Sequence, residues 1–231
     1  MKKISFMILL LSMLFTLCAC GAEPAVPAQP QDLEPEETFF PQEPAPDPTS
    51  EPEAESAPGP DLDTLFGKKD AHSYRNDHFD LSADFGEEWH IYTERELRAD
   101  SEYPNIDTVM EYEKTGSVCP FTAVKTNGES GEIHIVIYDM GDLAKMGRQE
   151  DTYMQQTREK LKEAGAEVER KTVAFAGKEH FCLSGSMDQS GASYHYCFVC
   201  VSKGQYMAVI MAFADTEEEV KDILLLFRNA S

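Results

Sequence analysis

Residues 168–213 read VERKTVAFAGKEHFCLSGSMDQSGASYHYCFVCVSKGQYMAVIMAF. Apolar and polar residues alternate through Val168–Phe175, His180–Met187, Tyr194–Ser202 and Tyr206–Phe213, the period of strands with one buried face. Ala176-Gly177-Lys178 and Lys203-Gly204-Gln205 break the alternation where tight turns belong, so the stretch reads as an antiparallel meander. A loop at Asp188-Gln189-Ser190-Gly191, with Met187 facing Ala192, sets Cys182 opposite Cys197. Side chains two apart on a strand share a face, which places His180, Cys182, His195 and Cys197 together.

Working outward, Gln149–Ala164 has a helical stripe of Tyr153, Met154, Thr157, Leu161 and Ala164, closed by Gly165. After the meander, Thr216 and Glu219 form a capping box for a last helix with Val220, Ile223, Leu224 and Phe227 on its inner side. Before it, Phe121–Thr126 and Glu132–Tyr138 flank a turn-rich loop and read as a hairpin whose Ile133, Ile135 and Ile137 share one face. Asp107 caps a short helix stopped by Gly116, and Phe79, Leu81, Ala83 and Phe85 alternate as a further strand, followed by Trp89–Tyr92 and a helical turn at Thr93–Arg98. Strand hairpins interleaved with a few helices predict an α+β fold, helices packed on an antiparallel sheet.

Tyr74-x-Asn76-x-x-Phe79-x-Leu81, then Phe85-Gly86-x-x-Trp89, then a helix near Glu94–Leu97, resembles the opening of PsbP-like domains of small lipoproteins from Gram-positive bacteria. The order of later elements is similar too. The chain departs from that pattern at Asp80, where the opening usually carries Gly, and near Phe85-Gly86, where it carries Pro. The resemblance implies an α/β/α sandwich around an antiparallel sheet over residues 70–231. It implies no catalytic residue, because its motifs are packing positions and turns, and fold does not carry function.

The first 19 residues have the form of an export signal: Lys2-Lys3, then an apolar run from Ile4 to Leu17. That run is too short to span a bilayer as a helix. Leu17-Cys18-Ala19-Cys20 resembles the bacterial lipobox, which implies cleavage between Ala19 and Cys20 and diacylglycerol on the Cys20 thiol; two or more acyl chains anchor stably where one does not. Residues 20–69 are expected to be a disordered tether, since Ala22–Asp63 holds 11 of the chain's 13 prolines and 12 acidic residues with no Lys or Arg. Phe39-Phe40 is its one aromatic pair.

The chain of 231 residues carries 42 Asp+Glu against 20 Lys+Arg, a net charge of -22, which excludes a nucleic-acid partner that needs a cationic patch. No phosphate loop, G-x-S-x-G elbow or HExxH is present, so neither an enzyme nor a cofactor is expected. Setting aside Cys18 and Cys20, four thiols remain: Cys119, Cys182, Cys197 and Cys200. Three readings stay open for them: small core residues, a Cys182–Cys197 disulfide, or a metal site of His180, Cys182, His195 and Cys197. Cys197-x-x-Cys200 is not a redox pair if it lies in a strand, because residues three apart face opposite ways. His72, His78, His90 and His134 lack ligand spacing. The expectation is a protein lipid-anchored on the outer face of the cell membrane, whose domain binds an extracytoplasmic protein or other envelope component. The alternative is a single-lobe solute- or metal-binding lipoprotein.

Overall fold

The computed structural model describes residues 60–189 and 192–231. The signal segment, Cys20 and the tether through residue 59, with Phe39-Phe40, lie outside the described residues. The fold is α+β: antiparallel sheets with helices packed on them.

A seven-stranded sheet forms the centre. Its strands are β4 (Trp89–Ile91), β5 (Ser117–Lys125), β6 (Glu132–Asp139), β7 (Glu167–Phe175), β8 (Lys178–Gln189), β9 (Ala192–Lys203) and β10 (Tyr206–Ala214), in the spatial order β4-β5-β6-β10-β9-β8-β7. A four-stranded sheet, ordered β1-β2-β3-β11, combines β1 (Lys68–Lys69), β2 (Ser73–Asn76), β3 (Leu81–Asp84) and β11 (Phe227–Arg228). The helices are α1 (Leu62–Phe66), α2 (Glu94–Asp100), α3 (Thr108–Thr115), α4 (Gly141–Lys145), α5 (Gln149–Glu163) and α6 (Glu217–Leu224).

Period-2 alternation divides the core between the two faces of the large sheet. One face carries Ile133, Ile135, Ile137, Val199, Ala208 and Ile210 against Leu65, Phe85, Val220, Leu224 and Phe227 from α1, α6 and the small sheet. The other carries Val136, Tyr138, Leu183, Phe198 and Val209 against Tyr153, Met154 and Leu161 of α5. Helices therefore cover both faces of the central sheet.

Local chemistry explains the joints. Ala176 (φ 47°) and Gly177 (φ 75°) form the two-residue β7–β8 turn, the positive-φ geometry whose twist matches the flanking strands. Gly185 permits the β7 backbone to approach: an added Cβ would lie 1.9 Å from the Glu167 carbonyl, to which the Tyr196 hydroxyl donates at 2.7 Å. Asp80 holds φ 57°, a conformation that Asp tolerates better than most residues and Gly favours, at the position where the PsbP-like opening usually carries Gly.

Four expectations are corrected. Residues 62–69, assigned to the tether, are folded: Asp61 caps α1, and Leu65 and Phe66 are buried. The β8–β9 register pairs Gln189 with Ala192, so Cys182 faces Val199 and Cys197 faces Ser184, two residues away from the expected alignment. Phe227 lies not on α6, which ends at Leu224, but on β11, where it is buried against the same core. Ala164 is the exposed C-cap of α5 rather than part of its stripe.

Asn76, fully buried, joins α1 to the small sheet. Its Nδ2 donates to the Leu65 carbonyl (2.8 Å) and the Tyr74 hydroxyl oxygen (3.0 Å), while its Oδ1 accepts the Phe79 N–H (3.0 Å). Asn76→Ala leaves a buried carbonyl and a buried N–H without partners and is expected to cost about 2–4 kcal/mol. Urea denaturation checks this; a loss below about 0.5 kcal/mol would mean that water replaces the amide.

Candidate functional site

Two places collect reactive side chains. The first is a cleft of about 210 Å³ between α6 and strands β7, β8 and β9, lined in part by Lys171, Ser184, His195, Cys197, Glu217 and Leu224. Helix α6 is held over it by charge. Lys171 of β7 and Lys221 of α6 each place Nζ 3.1 Å from Glu217 Oε1. Hydrogen bonds from these two lysines hold the Glu217 carboxyl below its usual range.

The even shift in register keeps Cys182 and Cys197 on the same face, but as diagonal rather than directly opposed neighbours. Both are free thiols and buried. The hydrogen bond between them splits their acidities: Cys182 is drawn down by Cys197 and then by Lys171, while Cys197 is pushed up by Cys182 and by burial. His195 sits opposite Ser186 at the cleft mouth. His180 lies six residues from Ser186 along β8, roughly 20 Å at strand rise. There its Nδ1 lies 3.2 Å from the Cys200 carbonyl and its ring packs on Phe175. The structure thus brings Cys182 and Cys197 together with His195 near the rim, and leaves His180 apart. Among the described residues, no group of three or more His, Cys, Asp or Glu side chains is placed to hold a metal ion. Cys200 faces the α5 side, so Cys197 and Cys200 lie on opposite faces as the strand period requires.

The second place was not singled out in the sequence. Strand β5 shifts register between Val118 and Phe121, a bulge at Cys119-Pro120. Proline, lacking an N–H, is found inside sheets at such points. The bulge turns Cys119 towards Thr122, with Sγ 3.6 Å from Thr122 Oγ1 and 3.3 Å from the Phe121 carbonyl. Thr122 faces His134 across the β5–β6 pair, with Oγ1 3.0 Å from Nδ1. On the far side of the ring, Nε2 lies 2.7 Å from Glu132 Oε1. Burial of the imidazole opposes its charge, but the Glu132 carboxylate and Cys119 outweigh that and raise its pKa to about 10. Imidazolium therefore prevails at neutral pH, with both ring nitrogens as donors. Of the other histidines, His90 pairs with Glu96 at 2.9 Å, and His78 packs edge-on against Phe79 and Tyr206, where burial lowers its pKa.

By its architecture the chain is an α+β domain with helices on both faces of an antiparallel sheet. No family model matches the sequence, and no curated protein matches it. Several solved structures are similar to it, among them the following three. CyanoP, the cyanobacterial PsbP of Synechocystis, is 10% identical with a TM-score of 0.43, over 71% of this chain and 95% of that one. LpqN of Mycobacterium tuberculosis, described as involved in cell envelope biogenesis, is 13% identical with a TM-score of 0.36, over 63% of this chain and 76% of that one. A protein of Bacteroides thetaiotaomicron is 12% identical with a TM-score of 0.38, over 70% of this chain. This chain spans about half (49%) of that protein's length.

The His134 ion pair has a pH signature. Its folded pKa, about 10, lies above the ordinary 6.5, so its stabilisation is complete below pH 6.5 and is lost as pH rises towards 10. Glu132→Gln is expected to lower stability at neutral pH and to flatten its decline through the alkaline range. Denaturant titrations at a series of pH values check this, and an unchanged slope would remove the ion pair from the account.

Proposed function

We propose that this protein is anchored by lipid on Cys20 at the extracytoplasmic face of the cell membrane, and that its folded domain binds another envelope or extracellular component rather than catalysing a reaction. The N-terminal sequence carries the location: Lys2-Lys3, the short apolar run and Leu17-Cys18-Ala19-Cys20 occur in the order and spacing of a lipoprotein signal. Among the described residues no helix is long and apolar enough to cross a membrane. Support for binding over catalysis comes from the cleft. Of its lining side chains, Glu217 is engaged by Lys171 and Lys221, and the Cys197 thiol is pushed away from ionisation. Such groups hold and orient; they are poorly prepared to exchange protons at neutral pH.

Cys20→Ala is expected to leave an unprocessed precursor that takes up no labelled fatty acid and is shed from the membrane fraction. Label entering that variant at the wild-type level would overturn the anchor.

The cleft itself favours a second reading, a single-lobe solute-binding module. A volume of about 210 Å³ lies below the usual range for drug-sized ligands, so the occupant would be a small polar solute or an ion. Native mass spectrometry of the chain from Cys20, purified anaerobically from its own host, decides between the readings. A bound mass lost in Lys171→Ala supports the solute reading; a bare chain supports docking to a macromolecule.

A further inference from the structure

The four domain thiols are not equivalent. Cys182, Cys197 and Cys200 are 0–4% exposed, whereas Cys119 is only partly buried, at the one irregular point of β5. Beyond it run three side chains in series: Thr122 Oγ1, His134 and Glu132, at 3.6, 3.0 and 2.7 Å from link to link. With His134 charged, Nδ1–H donates to Thr122 Oγ1, which leaves the threonine O–H free to donate to sulfur. The thiol, when protonated, has the Phe121 carbonyl to donate to. When ionised, it accepts from a hydroxyl that an imidazolium polarises.

The charges facing this sulfur come from three elements. Lys69 of β1, largely buried, donates through Nζ to the Pro120 carbonyl at 3.0 Å and acts electrostatically on Cys119. His134 of β6 is the second cation, neutralised at its far nitrogen by Glu132. Glu94 and Glu96 of α2 act on Lys69, but Glu96 is engaged by Thr93 and His90, and Glu94 accepts from the Thr108 hydroxyl. Lys69 and His134 both interact electrostatically with the thiol, and these carboxylates are held by other partners. Partly exposed, electropositive surroundings of this kind are where reactive cysteines are found.

We propose that Cys119 is a covalent modification site, a nucleophilic thiol positioned by Thr122 and His134 that exchanges with small disulfides. In the step, the Cys119 thiolate attacks one sulfur of R–S–S–R and the new Cys119–S–S–R bond forms as the old S–S bond breaks. The second half leaves as R–S⁻, so the disulfide is both the oxidant and the source of the leaving group. With 42 acidic against 20 basic residues in the chain, a cationic disulfide is attracted to the protein more than an anionic one.

The probe is cystamine, applied at neutral pH to the full chain carrying Cys18→Ser and Cys20→Ser, with adducts located by peptide mass spectrometry. Cys119 is expected to react at least tenfold faster than Cys182, Cys197 or Cys200, and faster than the same thiol in the urea-unfolded chain. Thr122→Val, which keeps the shape and removes the hydroxyl, is expected to slow Cys119 about tenfold with little change in melting temperature, and Thr122→Ser to restore the rate. Glutathione disulfide, being anionic, is expected to react more slowly than cystamine. Equal rates at all four thiols, or a Cys119 rate in the folded chain no greater than in urea, would overturn the proposal. So would a Thr122→Val chain that reacts at the wild-type rate, and both comparisons within the unaltered domain stand even if that variant fails to fold.

Discussion

One buried amide sets the edge of the fold. Asn76 spends both halves of its side chain on backbone and hydroxyl partners, and the Tyr74 hydroxyl extends the set by donating to the Phe66 carbonyl at 3.2 Å. Helix α1 has five residues, too few to be stable alone. Its C-terminal carbonyls at Leu65 and Phe66 would be unsatisfied in the core without these two side chains. Because they are satisfied, Leu65 and Phe66 can seal the face of the large sheet that α6 and β11 also cover. The packing of α1 on that side rests on this polar clasp.

The two reactive places lie on opposite faces of the large sheet, and the sheet governs each differently. In the cleft, regular β8–β9 pairing makes Cys182 and Cys197 diagonal neighbours, fixed by parity and buried by α6. At Cys119, an irregularity brings the chemistry: an extra residue in β5 swings the thiol towards a threonine that regular pairing has set opposite His134. A buried ion pair usually gains little over apolar packing once desolvation is counted. Breaking the Glu132–His134 pair would still cost stability, and while it is intact it holds an imidazolium N–H against Thr122 Oγ1.

Much of the fold was legible because alternation and turn residues agree. The meander, the isoleucine hairpin, the capping box at Thr216 and the stop at Gly116 all follow from local chemistry. Helix α1 was hidden because Leu62, Leu65 and Phe66 sit at the end of a Pro- and acid-rich stretch whose composition argues for disorder. The register of β8 on β9 was misjudged by two residues, since a loop's length cannot be read from its turn-forming residues alone. The error was even, so the shared face of His180, Cys182, His195 and Cys197 survived while the directly opposed cysteines did not. The Cys119 network escaped notice because it needs three strand positions and a bulge at once. Pro120 inside an apolar run was the available signal for that bulge, whereas the pairing of Thr122 with His134 shows only in the observed β5–β6 register.

The small sheet has a consequence for the order of folding. Strands β7 to β10 follow one another with short connections, and their pairings are local in the chain. By contrast β3 pairs with β11, setting Ala83 against Phe227 near the opposite ends of the domain. A chain that emerges from its N-terminus can assemble the meander while its last residues are still inside the ribosome, but β3 keeps an open edge until Phe227 and Arg228 arrive. Closure of that long loop is entropically the costliest contact in the domain. The N-terminal layer is thus the first to be made and among the last to be completed.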